Sequence, residues 1–279
     1  MGITKKFYFY SLVIFVVLMG FLAIGNLDYT ISKSLINQSS LFANIFNMFG
    51  EIPAFLGMLL ALVLLYGGRR KDVLSLNIII SLLCIPLIFA FSYALIAVPI
   101  NYAYEHSISG TPSFLKILSI VLSIVLAIAL IYISEKKGEE FKKYRKHAWL
   151  LLVLIFSEIF AVNIIKCIWA RPRMRSITNI SQFKHWYEIS GWTNDNELKS
   201  FPSGHAANAF VGLAYTIFIP YLKSIKIKTY LIIAITWGVL VSLSRVIIGA
   251  HFLSDVLVAS YITIYLFIFW EKVFFKHTK

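Results

Sequence analysis

Apolar residues run along this chain in blocks of about 20, with short polar stretches between them. A block of that length, if helical, crosses the hydrocarbon layer of a bilayer. Eight such blocks are predicted, at about 7–25, 52–66, 74–98, 113–133, 148–168, 203–221, 229–249 and 252–271. The expected fold is therefore all-α, a polytopic membrane helix bundle of about eight transmembrane helices. The first block ends in Ala23-Ile24-Gly25, a weak cleavage-like pattern, but its length predicts an uncleaved span. Pro86 is expected to kink the third block, because proline removes a backbone donor.

The polar stretches alternate in charge. Lys5 and Lys6, then Arg69, Arg70 and Lys71, the run 135–147, Lys223, Lys226 and Lys228, and the tail Lys272, Lys276 and Lys279 are basic. With eight spans these fall on one side, and basic loops mark the cytoplasmic side. Both chain ends are then cytoplasmic, and the loops 26–50, 99–112 and 171–200 face outward. The last of these breaks the pattern, carrying Arg171, Arg173, Arg175, Lys184 and Lys199. A phosphate-handling site on the outer face would account for some of them.

Composition agrees. The chain is 59% hydrophobic, above the ~45–50% of soluble domains. Its net charge of +13 is explained by topology, so no nucleic-acid partner is expected. Cys84 and Cys167 have no metal-ligand spacing and read as small buried apolar residues. No internal repeat or soluble domain is visible. The whole of 1–279 reads as one integral-membrane domain.

Three polar clusters stand at the ends of apolar blocks. Lys166 and Arg173 are seven residues apart, a spacing that shares one helical face, and both suit phosphate oxygens; snorkelling at the interface is the plainer reading. Pro202-Ser203-Gly204-His205 opens a block. Free N–H groups and the helix dipole favour an anion there, Gly204 allows close approach, and His205 can donate a proton. The plainer reading is a capped helix with an interfacial histidine. Ser244-Arg245 is followed by His251 and Asp255, four apart, so that a carboxylate could orient an imidazole; a structural His–Asp pair is the alternative.

Together the clusters resemble the type 2 phosphatidic acid phosphatase family, related to bacterial acid phosphatases and vanadium haloperoxidases. Its motifs are Lys, six residues, Arg-Pro; Pro-Ser-Gly-His; and Ser-Arg, five residues, His, three residues, Asp. The second and third match fully. In the first, Met174 stands where proline is expected, and the nearby Arg171-Pro172 pair is out of register, so Arg173 is assigned and Arg171 is at most auxiliary. The match covers about 90 residues. The family core has six helices, which makes 1–73 an amino-terminal addition and 148–271 the motif-bearing catalytic core.

The resemblance implies a metal-independent lipid phosphatase with no cofactor. His251 would attack phosphorus, Asp255 would orient it, and His205 would protonate the leaving oxygen. Lys166, Arg173, Arg245, Ser203 and Gly204 would hold the phosphoryl oxygens. The implied substrate is a lipid phosphate in the bilayer: an isoprenyl diphosphate, a phosphatidate or a phosphatidylglycerophosphate. The implied place is a plasma membrane, of bacterial type. A lipid phosphotransferase using the same site and a non-catalytic lipid transporter are the alternatives. Glu158, inside the fifth block, is a costly intramembrane carboxylate and with Arg175 a possible auxiliary. Trp186, Tyr187 and Trp192 suit an interface or a lid.

Overall fold

The computed structural model describes residues 5–104, 110–222 and 225–275. The predicted charges at Lys223, Lys276 and Lys279 lie outside the described residues, as does part of the 99–112 loop. All regular structure among the described residues is helical. The elements are α1 (Lys5–Leu22), α2 (Leu27–Ser34), α3 (Leu41–Phe49), α4 (Ile52–Gly67), α5 (Leu74–Ala103) and α6 (Ser113–Lys136). They continue with α7 (Gly138–Phe141), α8 (Arg145–Trp169), α9 (Gly204–Phe210), α10 (Ile227–Ile247) and α11 (Leu253–Phe275).

The polytopic helix bundle is as expected, but not the count of eight regular spans. Among the described residues six helical runs are long and apolar enough to cross a membrane, or seven if the bent pair α1–α2 is one span. Two blocks account for the difference. The first block ends with α1, after which the chain turns by 91° into α2. The block 203–221 is α-helical only as far as Phe210 and continues as a 3-10 helix, Val211–Tyr221, with Pro220 inside it. This block is packed inside the bundle, with Ala206, Ala207, Ala209, Val211 and Ala214 fully buried.

The 26–50 stretch, read as a loop, holds α2 and α3. Helix α3 leads through Gly50 and Glu51 into α4, and Leu41–Gly67 together has the length of a span. Helix α4 lies at the centre, packed on α5, α6, α8 and α9. Its Met58, Leu59 and Leu62 meet Ile88 of α5 and Ile155 of α8 in one apolar cluster. A second cluster joins Leu150, Leu151 and Leu154 of α8 to Phe210, Ala234 of α10 and Phe267 of α11. Helices α9 and α10 approach closely at Gly238: an added Cβ there would lie 2.6 Å from the Phe210 ring. Small residues permit such contacts between membrane helices.

The outer faces are apolar. Leu82, Val125, Phe160 and Ile232 are each more than half exposed. In water such faces would aggregate; in a bilayer hydrocarbon covers them.

Candidate active site

One end of the bundle contains a cavity of about 570 Å³, lined by Lys166, Arg173, Gly204, His205, Arg245 and His251. All three sequence clusters therefore meet. Arg175, Glu197, Asn47, Glu51 and Tyr102 also line it.

Lys166 comes from the last turn of α8. Its ammonium passes over Gly204, where an added Cβ would lie 3.2 Å from Nζ. A side chain at 204 would crowd the ammonium by a few tenths of an ångström, which glycine avoids. Arg173 reaches the cavity by a different route from the one its spacing suggested. Helix α8 ends at Trp169, Ala170 is left-handed with φ 44°, and Arg173 is extended. Pro172 disfavours helix in the residue before it, so the chain leaves the helix and turns back. The Arg173 N–H donates to Glu197 O (2.8 Å) and its Nε to Asn196 O (2.9 Å). Met174, in the motif-proline place, is buried against Tyr29 and Phe252. Arg175 forms an ion pair with Glu197, Nη2 to Oε1 2.7 Å, which holds that carboxyl below the usual range.

His251 lies in the turn between α10 and α11. Its Nδ1 is 2.7 Å from Ser200 O. A carbonyl can only accept, so Nδ1 carries the proton and Nε2 keeps its lone pair. Burial, reinforced by Arg245, Arg173 and Lys166, holds His251 well below the ordinary histidine value. It is therefore neutral near pH 7.

The direct Asp255–His251 hydrogen bond expected from their spacing is absent. Asp255 Oδ2 is 3.6 Å from Nδ1, beyond hydrogen-bond range. The carboxylate is engaged elsewhere: Oδ2 accepts from Ser200 Oγ (2.5 Å) and Phe252 N (2.9 Å), and Oδ1 from Arg171 Nη1 (2.5 Å). Asp255 thus caps the start of α11 and fixes Ser200, whose carbonyl in turn holds the imidazole.

Arg171 is the largest departure from its predicted auxiliary place near the phosphate. It is wholly buried, away from the cavity wall. It bonds Asp255, Ser254 Oγ (2.8 Å), Asp28 Oδ2 (2.8 Å) and Lys184 O (2.8 Å), and its guanidinium lies over the Phe252 ring at 4.1 Å. Asp28 in α2 completes the cluster through Ser254 N and Oγ. A buried guanidinium needs this many partners to offset its lost hydration.

Ser203 is also off the cavity wall. It is fully buried, and its oxygen accepts from Ala206 N (3.4 Å), capping α9. The Phe201–Pro202 peptide is cis. Glu158 is buried without reaching the cavity, and its Oε2 has no hydrogen-bond partner among the described residues. Of the aromatics in the 171–200 loop, Trp192 is exposed and Trp186 O accepts from Trp169 Nε1 (2.7 Å); neither these two nor Tyr187 lines the cavity.

Sequence reasoning missed the contribution of the amino-terminal half. Arg245 Nη1 bonds Asn47 Oδ1 of α3. Glu51 Oε1 lies 3.6 Å from His205 Nδ1 and accepts from Asn208 Nδ2 (2.9 Å). Tyr102 of α5 meets the His205 ring edge-on, 5.2 Å between centroids. These residues carry no motif. The available signal was a lone acid at the head of an apolar block, on the side already assigned to the clusters.

Two comparisons bear on identity. Residues 146–279 match the PAP2 superfamily. The chain is 33% identical over 124 residues to phosphatidylglycerophosphatase B of Bacillus subtilis strain 168, covering 41% of this chain and 52% of that protein. It thus spans about half the length of this curated relative. No solved structure matches significantly. Three motif clusters meet in one cavity, and all of them lie within residues 146–279, just under half of the chain, the segment that is similar to the PAP2 superfamily.

Proposed function

We propose that this protein is an integral-membrane lipid phosphatase that cleaves a lipid phosphate monoester or diphosphate through a phosphohistidine. The observation that carries the reading is the convergence of two histidines and three cations, Lys166, Arg173 and Arg245, on one cavity among membrane-length helices. A binding protein needs the cations but not a neutral imidazole with a free Nε2 beside a second histidine.

The phosphoryl group sits between Lys166, Arg173, Arg245 and the Gly204 N–H, which face the charge that develops on its oxygens. His251 Nε2 attacks phosphorus, forming the N–P bond as the bond to the leaving oxygen breaks. His205 passes a proton to that oxygen. Water then attacks the phosphohistidine, returning a proton to His205 and releasing phosphate and neutral His251. Asp255 acts through Ser200 and the α11 cap. The cations supply the charge stabilisation, so the reading needs no metal.

The similarity to a phosphatidylglycerophosphatase and the membrane-length helices favour a lipid substrate, with isoprenyl diphosphate, phosphatidate and phosphatidylglycerophosphate as the candidates. The basic loops favour a site facing outward from a plasma membrane. The test is phosphate release from these three lipids, with EDTA, by wild type and His251→Ala. Release lost in the variant supports the reading. No release by folded wild type on any lipid overturns it. For orientation, a cysteine introduced in 171–200, with Cys84 and Cys167 replaced, should react with an impermeant thiol reagent from outside. Reaction only after lysis overturns the sidedness.

A further inference from the structure

We propose that Glu51, which lies outside the segment matching the family, is a positioning residue for His205. In this role it accepts the Nδ1–H, so that Nε2–H points at the leaving oxygen. The inference rests on the phosphatase reading and deepens it.

Glu51 immediately precedes α4 yet makes no side-chain cap to that helix. A carboxylate at a helix start usually bonds the free N–H groups there. This one turns instead into the cavity. Asn208, one turn after His205 on α9, donates to Oε1 at 2.9 Å. The same oxygen stands 3.6 Å from His205 Nδ1. Closing by less than about 1 Å would make a charge-assisted hydrogen bond, and catalytic contacts are often long before substrate binds. His205 Nε2 has no partner among the described residues. One ring nitrogen thus faces Glu51, and the other is buried and left for a ligand atom to meet.

Charge gives the contact its purpose. The groups around His205 include Lys166 from α8, Arg173 and Arg175 from the following loop, Arg245 from α10 and His251 from the turn before α11. Glu51 and Glu197 are the acids among the cavity residues, and Glu197 is paired with Arg175. An imidazolium at His205 would face several cations, and Glu51 is placed to offset them. During the reaction Nε2–H passes to the leaving oxygen while Nδ1–H stays on Glu51. The attacking water later restores the Nε2 proton.

The test exploits leaving-group chemistry. An aryl phosphate leaves as a stabilised phenolate and needs little protonation; a short-chain lipid phosphate leaves as an alkoxide and needs a full proton. Glu51→Gln keeps shape and the Asn208 contact. It should lower kcat on the lipid phosphate about 10- to 100-fold, with at most a few-fold loss on p-nitrophenyl phosphate and little change in KM. In a His205→Ala background the same change should cost nothing further. Equal loss on both substrates, or losses that multiply in the double variant, would overturn the role of Glu51 while leaving the phosphatase intact. No release from either substrate by folded wild type would overturn the phosphatase reading, and this inference with it.

Discussion

The two histidines on the cavity wall face different kinds of partner, and one of them is held by a hydrogen bond. His251 Nδ1 meets a neutral backbone carbonyl, Ser200 O, at 2.7 Å. His205 Nδ1 faces a carboxylate, Glu51, at 3.6 Å. A carbonyl fixes the tautomer without favouring the charged ring, which suits a nucleophile that must keep its lone pair. A carboxylate stabilises the charged ring, which suits a proton donor. The acid near His251, Asp255, is occupied by Ser200, Phe252 and Arg171. The same residue types thus take different chemical places because their second partners differ.

The sharpest way to break the comparison is to remove the proposed nucleophile. His251→Ala should lower phosphate release on the order of 10⁴-fold or more and abolish labelling of the protein by a substrate carrying radioactive phosphorus. Labelled protein persisting in the variant would place the nucleophile elsewhere. Next comes the support behind Asp255. Arg171→Ala leaves Asp28 and Asp255 buried without their guanidinium and should destabilise the fold by about 3–5 kcal/mol, read as a lower Tm in detergent. An unchanged Tm would show that the cluster is expendable.

His205→Ala should cost about 10²- to 10⁴-fold on a lipid phosphate and much less on an aryl phosphate. That keeps it distinct from His251, whose loss should abolish both. The smallest effect concerns pH. Because His251 is held below the ordinary value near 6.5, protonation, which destroys the nucleophile, should begin only at lower pH. Its ¹⁵N resonances should therefore stay those of a neutral ring from pH 7 to 6. Titration near 6.5 would mean that the site is wetter and less cationic than its geometry implies.

The helices were legible because blocks of about 20 apolar residues have few other uses. The block 203–221 was not legible as a short α-helix followed by a 3-10 run, since hydropathy does not distinguish one helical form from another. The convergence of Lys166, Arg173, His205, Arg245 and His251 was legible from motif order and shared side. Arg173 illustrates the limit: its spacing named a cavity residue, yet the helix invoked for it ends at Trp169. Arg171 looked like a spare phosphate ligand because charge in a loop says nothing of burial. Its partners Asp28 and Asp255 lie 143 and 84 residues away, beyond any local pattern. Glu51 was hidden for the same reason, its partner Asn208 being 157 positions on.

The Asp28–Arg171–Ser254 cluster also sets an order of events during synthesis. Asp28 leaves the ribosome 226 residues before Ser254, and a chain grows by roughly 5–20 residues per second. At those rates the α2 carboxylate has neither of its eventual partners for about seven seconds or more, and it lacks Ser254 for about eleven seconds or more. It cannot take its buried place until the start of α11 has been made. The Ser200 carbonyl that holds His251 belongs to the same late-forming structure, through Asp255. A nascent chain therefore carries no competent centre while it is being inserted, and a product truncated before α11 would remain inert in the membrane.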